Sequence, residues 1–142
     1  MNIRLAKTDD KKAVIKLFNE LRATWDGPQI EPEESLFDEI LDDKNARIFI
    51  LEDDNLPIGF ATLYFYPKLS NKRAFVSELL ITDKKQSLGY GSKLLDYIKD
   101  YCKNEGVDTI KISTGVENIK AQKFYQKNGG KIKNYELKFY ID

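Results

Sequence analysis

The sequence predicts an α/β fold with a mixed, mostly antiparallel central sheet and about four helices. Three observations predict it. Two β-branched and aromatic runs, residues 47–52 and 58–66, flank a tight Asp53-Asp54-Asn55 turn, the pattern of an antiparallel hairpin. A strand-like run at 75–81 passes through a glycine turn into a helical pattern and on to another strand at 108–114, which implies a parallel pair. No linker or repeat interrupts the 142 residues, so residues 1–142 read as one domain with one core.

Taken in order, residues 3–6 form a short strand, and Thr8-Asp9-Asp10 starts a helix carrying Val14, Leu17, Phe18 and Leu21 at helical spacing. Trp25-Asp26-Gly27-Pro28 breaks that helix, and a second begins near Pro32 with Leu36, Phe37, Ile40 and Leu41 on its buried side. The hairpin and the 75–81 strand follow. A helix over 89–105 buries Leu94, Leu95, Ile98, Tyr101 and Cys102 and stops at Gly106, a residue suited to a left-handed cap. After the 108–114 strand, a helix over 118–128 ends at Gly129-Gly130, and a last strand or hairpin covers 131–141.

Net charge is zero, which removes the global case for nucleic-acid binding, and the expectation is no nucleic-acid or membrane partner. Acidic residues outnumber basic ones over 1–71 and the reverse holds over 72–142, an asymmetry that suits an anionic ligand on the second half and a cationic one on the first. Without histidine there is no Ser-His or Cys-His nucleophile and no histidine zinc site, so no metal is expected. One cysteine forms no internal disulfide. The N-terminus has no signal-peptide core, and no apolar run approaches the roughly 20 residues that span a bilayer. The expectation is a cytoplasmic protein.

The polar loop after residue 81 contains Gly89-x-Gly91 and opens at once into a helix. Strand, glycine turn and helix N-terminus together make an anion socket, where amides converge and the helix dipole is positive. By itself the feature is unspecific, since a tight turn against a packed helix also uses glycine. A dinucleotide fingerprint fails, because Leu94 stands where its third glycine would fall, and no Gly-Lys-Ser/Thr of a P-loop follows.

Gln86-x-x-Gly89-x-Gly91, a strand some twenty residues on, and then Asn118-x-x-Ala121-x-x-Phe124-Tyr125-x-x-x-Gly129 together resemble the GNAT (GCN5-related) N-acetyltransferase superfamily. Ile3-Arg4-Leu5-Ala6 and Leu56-Pro57-Ile58-Gly59-Phe60-Ala61 are similar to it as well, so the resemblance covers nearly the whole chain. It implies the acyl-CoA N-acyltransferase fold, with its parallel pair splayed, and acetyl-CoA as acyl-donor cosubstrate. It places the pyrophosphate on Gln86, Ser87, Leu88, Gly89, Tyr90, Gly91 and Ser92, and the pantetheine arm beside Leu79, Leu80 and Ile81. Asn118, Ala121 and Phe124 belong to the same cofactor-binding set, Asn118 being equally a helix N-cap and Phe124 equally an apolar packing residue.

The resemblance further implies direct attack by an amine on the thioester in a ternary complex, with backbone N–H groups near Leu80 and Ile81 stabilising the oxyanion. Tyr125 then matches the proton donor to the departing thiolate. Glu78, the acidic residue of the central strand, is the candidate base or an orienting group for the substrate. In several members the base aligns with Ser77 instead, and alternation puts Ser77 and Glu78 on opposite faces unless a bulge intervenes. Trp25, Tyr64 and Glu78 are the candidate acceptor-binding residues, aromatic and acidic as a small cationic amine requires, with Tyr66, Asp26, Glu31, Glu33 and Glu34 nearby in sequence. Lys84, Lys85 and Lys93 flank the glycine loop, and Gly130 stands where the family usually has a large apolar residue. The alternative is a catalytically weak acyl-CoA-binding or regulatory domain of the same fold; a nucleotide-binding protein of another kind fits the motifs less well. The 136–141 run offers an edge strand for a homodimer.

Overall fold

The computed structural model describes residues 1–25 and 30–141. The elements run β1 (Asn2–Leu5), a 3-10 turn (Thr8–Asp10), α1 (Lys11–Arg22), α2 (Glu34–Asp42), β2 (Ala46–Asp53), β3 (Leu56–Pro67), β4 (Lys72–Ile81), a second 3-10 turn (Asp83–Lys85), α3 (Tyr90–Asn104), β5 (Ile110–Ile112) and α4 (Ile119–Lys127). They fall into two compact units, Met1–Ile112 and Ser113–Asp142.

The first unit holds a five-stranded sheet in sequence order, antiparallel from β1 to β4 and parallel between β4 and β5. Asp54 and Asn55 both adopt positive φ, the geometry of a two-residue turn whose twist matches the β2–β3 hairpin. Strand alternation divides the core. Ile48, Ile50, Phe60 and Leu80 face Val14, Leu17 and Phe37 of α1 and α2. Phe49, Leu51, Ala61, Leu63 and Val76 face Leu94, Ile98 and Cys102 of α3. The central strands therefore read as continuous apolar runs because both faces are covered, and each fully buried side chain such as Phe49 or Leu63 contributes roughly 1.5–3 kcal/mol. Leu36, expected on the buried side of α2, is exposed instead, since a nine-residue helix lying on a sheet buries a narrow stripe that Phe37, Ile40 and Leu41 already fill.

α3 ends as its glycine predicts. Gly106 has φ +76, its N–H donates to the Lys103 carbonyl, and the Val107 N–H donates to the Cys102 carbonyl, a Schellman cap whose Val107 enters the core. β5 is shorter than the expected 108–114, because only Ala74, Phe75 and Val76 offer it a partner. The breaker residues Asp26, Gly27 and Pro28 lie outside the described residues.

In the second unit α4 forms as expected, but residues 131–141 make no strand or hairpin and are exposed. The alternating pattern is present in Tyr135, Leu137 and Phe139. A strand also needs a ladder partner, and the described residues of this unit supply none.

One ion cluster ties the first strand to its neighbours. Arg4 donates through Nη1 and Nη2 to the two carboxylate oxygens of buried Asp10 at 2.7 and 2.9 Å, and through Nε to Glu52. The Lys7 N–H also donates to Asp10, at 2.7 Å. The Arg4 hydrogen bonds chiefly, and that amide, hold Asp10 below its ordinary carboxylate value. A depressed folded value gives stability that is present above about pH 4 and lost as the pH falls through it. Asp10→Asn should therefore lower the unfolding free energy by about 2–3 kcal/mol at pH 7 and flatten its decline below about pH 4, as read by urea titration across pH.

Candidate active site

The chemistry of the first unit concentrates where β4 carries one residue too many. Thr62 pairs with Glu78 and Leu63 with Val76, so Ser77 has no partner on β3. This β-bulge resets the alternation: Val76 and Leu79 both pack on the α3 side, while Leu80 packs on the α1–α2 side. Ser77 and Glu78 thus share the α1–α2 face, with Thr62 beside them on β3.

The Glu78 carboxylate is held from two directions. Thr62 Oγ1 donates to Oε1, and Ser77 Oγ donates to Oε2 at 2.7 Å. The Glu78 N–H in turn donates to Thr62 Oγ1 at 3.1 Å. Each carboxylate oxygen keeps a further lone pair for an incoming donor. Tyr64, two residues along β3, has its phenol shifted upward by burial first and then by the negative charges of Glu78 and Asp43, so it stays a protonated donor at neutral pH.

The bulge also opens one edge of β4. Among the described residues β5 pairs only with Ala74–Val76, so Ser77–Ile81 run without a neighbour on that side. The Thr82 N–H donates to the Ile58 carbonyl at 2.7 Å, and the Glu78 N–H likewise points to β3. Alternation then turns the Leu80 N–H toward β3 as well, and the N–H groups of Leu79 and Ile81 toward the open edge. Of the residues around which an oxyanion donor is expected, Ile81 and its neighbour Leu79 turn their N–H groups to the open edge, and Leu80 does not.

This edge leads into the glycine loop. Gly89 has φ +87 and no side chain to cap α3, so the first-turn amides are left to an outside acceptor. Ser87 sits at φ 64, a left-handed conformation uncommon for a residue with a Cβ. Leu88 is exposed, and Gly91 and Ser92 lie in the first turn of α3. Side chains brace the loop. Gln86 Nε2 donates to the Ile81 carbonyl at 2.8 Å, so its amide shapes the turn from inside. Glu20 of α1 accepts from Thr82 Oγ1 at 2.9 Å, and Asp53 accepts from Tyr90 Oη at 3.0 Å and Lys85 Nζ at 3.4 Å. Lys84 is exposed, and Lys93 lies 6.0 Å from the Tyr90 ring centre. Gly59 lets the strands close at the head of the loop. A Cβ there would stand 2.6 Å from Ile81 Cδ1 and 2.7 Å from the Leu80 carbonyl oxygen.

In the second unit, Asn118 caps α4 by accepting the Ala121 N–H at 3.1 Å. Phe124 and Tyr125 meet edge to face at 5.1 Å, and burial pushes the Tyr125 phenol up to about 12. Gly129, at φ +96, donates to the Gln126 carbonyl, and Gly130 donates to the Tyr125 carbonyl at 2.8 Å. A Cβ on Gly130 would lie 2.8 Å from that same carbonyl oxygen, so the residue that departs from the family pattern is the one that closes this cap.

Trp25 is neither core nor enclosed: it is 44% exposed and rests edge-on against Phe18 at 5.5 Å. Glu33 is the N-cap position of α2, while Glu31 pairs with Arg22 at 3.0 Å. Asp26 lies outside the described residues. Thr62, Glu20 and Asp53 were not singled out by the sequence. Thr62 carried a usable signal, a lone hydroxyl within the apolar run 58–63, whereas the long-range bonds of Glu20 and Asp53 left no local trace. The described residues contain no cluster of three or more metal-ligating side chains and no helix long and apolar enough to cross a membrane.

Residues 14–130 match the Acetyltransferase (GNAT) family. An uncharacterized N-acetyltransferase of Bacillus subtilis, YhfO, is 32% identical over 132 residues, spanning 91% of this chain and 89% of its own. A putative acetyltransferase from Agrobacterium tumefaciens has a similar structure at TM-score 0.88 and 17% identity, covering 99% of this chain and all of that one. An aminoglycoside acetyltransferase from an uncultured soil metagenomic sample aligns at TM-score 0.81 and 19% identity, over 99% and 95% of the two chains. These last two likenesses speak for the fold.

Two glycines should be irreplaceable for different reasons. Gly59→Ala should cost about 1–3 kcal/mol by overpacking the β3–β4 contact. Gly89→Ala should cost about 1–2 kcal/mol through its backbone angle alone. Urea denaturation of the two variants checks both values.

Proposed function

The chain belongs to the GNAT acetyltransferase family, and from that membership and the β4 geometry we propose that it transfers the acetyl group of acetyl-CoA to a primary amine. One observation carries this reading: a bulge-held carboxylate lies on β4 just before an open backbone edge that runs into an uncapped glycine loop. The loop suits a pyrophosphate, since Gly89 admits close approach, the α3 amides lack a side-chain cap, and lysines flank it. Bound there, acetyl-CoA supplies the activated acyl group.

The residues divide the remaining work. Ser87 through Ser92 would hold the phosphates, with Gln86 fixing the loop from within. The N–H groups of Leu79 and Ile81 would donate to the acyl oxygen as it gains charge, which lowers the barrier to attack. Glu78 would accept a proton from the ammonium of the acceptor, directly or through a water, and so free the attacking lone pair. As the new C–N bond forms and the C–S bond breaks, Tyr125 would give its proton to the departing thiolate, and the second proton of the attacking nitrogen would pass through water to restore the phenol. Burial keeps that phenol protonated across the working range. Tyr64, Trp25 and Glu78 would receive a small cationic amine, the acceptor class favoured by an acidic, aromatic surround.

The experiment is acetyl-CoA-dependent thermal stabilisation followed by thiol release over a panel of aminoglycosides, amino sugars and polyamines. A raised Tm together with thiol release that requires an amine is the expected result. Failure of saturating CoA or acetyl-CoA to raise the Tm would sink the assignment, and stabilisation without thiol release would fit the acyl-CoA-binding alternative. With the fastest panel amine, Tyr125→Phe should keep the Tm and CoA affinity but lower kcat by about 10–100-fold. Because burial holds the phenol at about 12, the ratio of parent to variant rates should stay constant from about pH 6 to about pH 9. Glu78→Gln should instead change the shape of the pH–rate profile, and an unchanged profile would remove Glu78 from the base role.

A further inference from the structure

We infer that Thr62 is the positioning residue for this site: its hydroxyl fixes the direction in which Glu78 presents its carboxylate to the acceptor. The inference rests on the role given to Glu78 above. Thr62 is 3% exposed and, with Asp10, one of two buried polar side chains among the described residues. Asp10 is explained by the Arg4 cluster. The Thr62 hydroxyl is explained only by Glu78.

The geometry gives that hydroxyl both of its hydrogen-bonding roles at once. It accepts the Glu78 N–H at 3.1 Å and donates to Glu78 Oε1. One atom therefore grips the glutamate by its main chain and by its carboxylate. In a regular antiparallel pair the N–H of the strand residue would go to a carbonyl of the neighbouring strand. Beside the bulge that N–H also reaches a side-chain oxygen, so the register irregularity and the carboxylate orientation meet at the same atom. The Ser77 hydroxyl completes the clamp from an exposed position, on Oε2.

A purely structural threonine would need no acceptor beyond the strand, and valine would replace it with nearly the same shape. Held by Thr62, the carboxylate pays little orientational entropy when the amine arrives, and its unused lone pairs face the α1–α2 side. The consequence is a residue that touches no substrate yet controls turnover through another.

The test is a set of five proteins: parent, Thr62→Val, Thr62→Ser, Glu78→Gln and the Thr62→Val/Glu78→Gln double variant. With the fastest panel amine, Thr62→Val should lower kcat by about tenfold and leave the KM for acetyl-CoA within about twofold, and Thr62→Ser should restore most of the loss. In the Glu78→Gln background the valine should have little further effect. Full activity in Thr62→Val, an equal loss in Thr62→Ser, or additive losses in the double variant would overturn the inference. Crystal structures give a readout that needs no acceptor. In Thr62→Val the Glu78 side chain should leave its parent rotamer, while in Thr62→Ser it should keep it. An unmoved Glu78 in the valine variant would refute the positioning role. If instead the rotamer moves but Glu78→Gln turns over normally, Thr62 does orient Glu78, and it is the catalytic assignment of Glu78 that fails.

Discussion

A single unpaired residue, Ser77 in β4, is the constraint on which the site depends. Without it, strict alternation would place Ser77 and Glu78 on opposite faces of the sheet. The extra residue turns both toward α1 and α2 and at the same time sets which amides face the strand's free side. Pairing with β5 stops at Val76, the residue immediately before the bulge. The parallel ladder ends where the bulge begins, and carboxylate orientation and amide direction both follow from one insertion.

The core explains why such an irregularity is tolerated. On each side of the bulge, β4 re-enters the alternation with apolar residues committed to opposite faces: Val76 to the α3 side before it, Leu80 to the α1–α2 side and Ile81 to the α3 side after it. A slip of one residue would turn each of them away from its own packing partners toward those of the opposite face, so the register is fixed from both ends. Right beside the bulge the Thr62 hydroxyl accepts the Glu78 N–H, so the irregular stretch keeps a bond across to β3.

Much of this was legible in the sequence, and the exceptions have physical causes. The hairpin, the helices and the glycine loop were read from turn residues and periodicity, because each is specified within a few neighbours. Gln86 ahead of the loop and the Asn118 to Gly129 pattern behind it carry the resemblance to the GNAT superfamily, which implies an acyl-CoA as the anion for that socket. The bulge was legible only as a condition, since a strand's sequence does not show which residue lacks a partner. Leu36 misled because an apolar residue at helical spacing is not thereby inside a narrow contact stripe. The 131–141 run misled because alternation specifies a face but not a partner. Thr62 carries a local signal, a hydroxyl in an apolar strand, but its partner Glu78 lies sixteen residues on and leaves no trace beside it.

The glycine loop raises the complementary question of how a strained turn is held ready. Ser87 adopts a left-handed backbone conformation that roughly 1–2 kcal/mol disfavours for a residue with a Cβ. Flexibility could relax it, but three side chains act against that. Gln86 bonds back to Ile81 from within the loop, Glu20 reaches from α1 to Thr82, and Asp53 reaches from the hairpin to Tyr90 and Lys85. The two carboxylates come from the acidic first half of the chain and their partners from the second half. The charge asymmetry seen in the sequence is thus partly an internal matter, in which acidic residues brace a loop whose amides and lysines are suited to an anion. Preorganisation of this kind lowers the ordering cost of binding. It also means that the acidity of the first half is no direct measure of the acceptor's charge, because Glu20 and Asp53 are already spent on the loop.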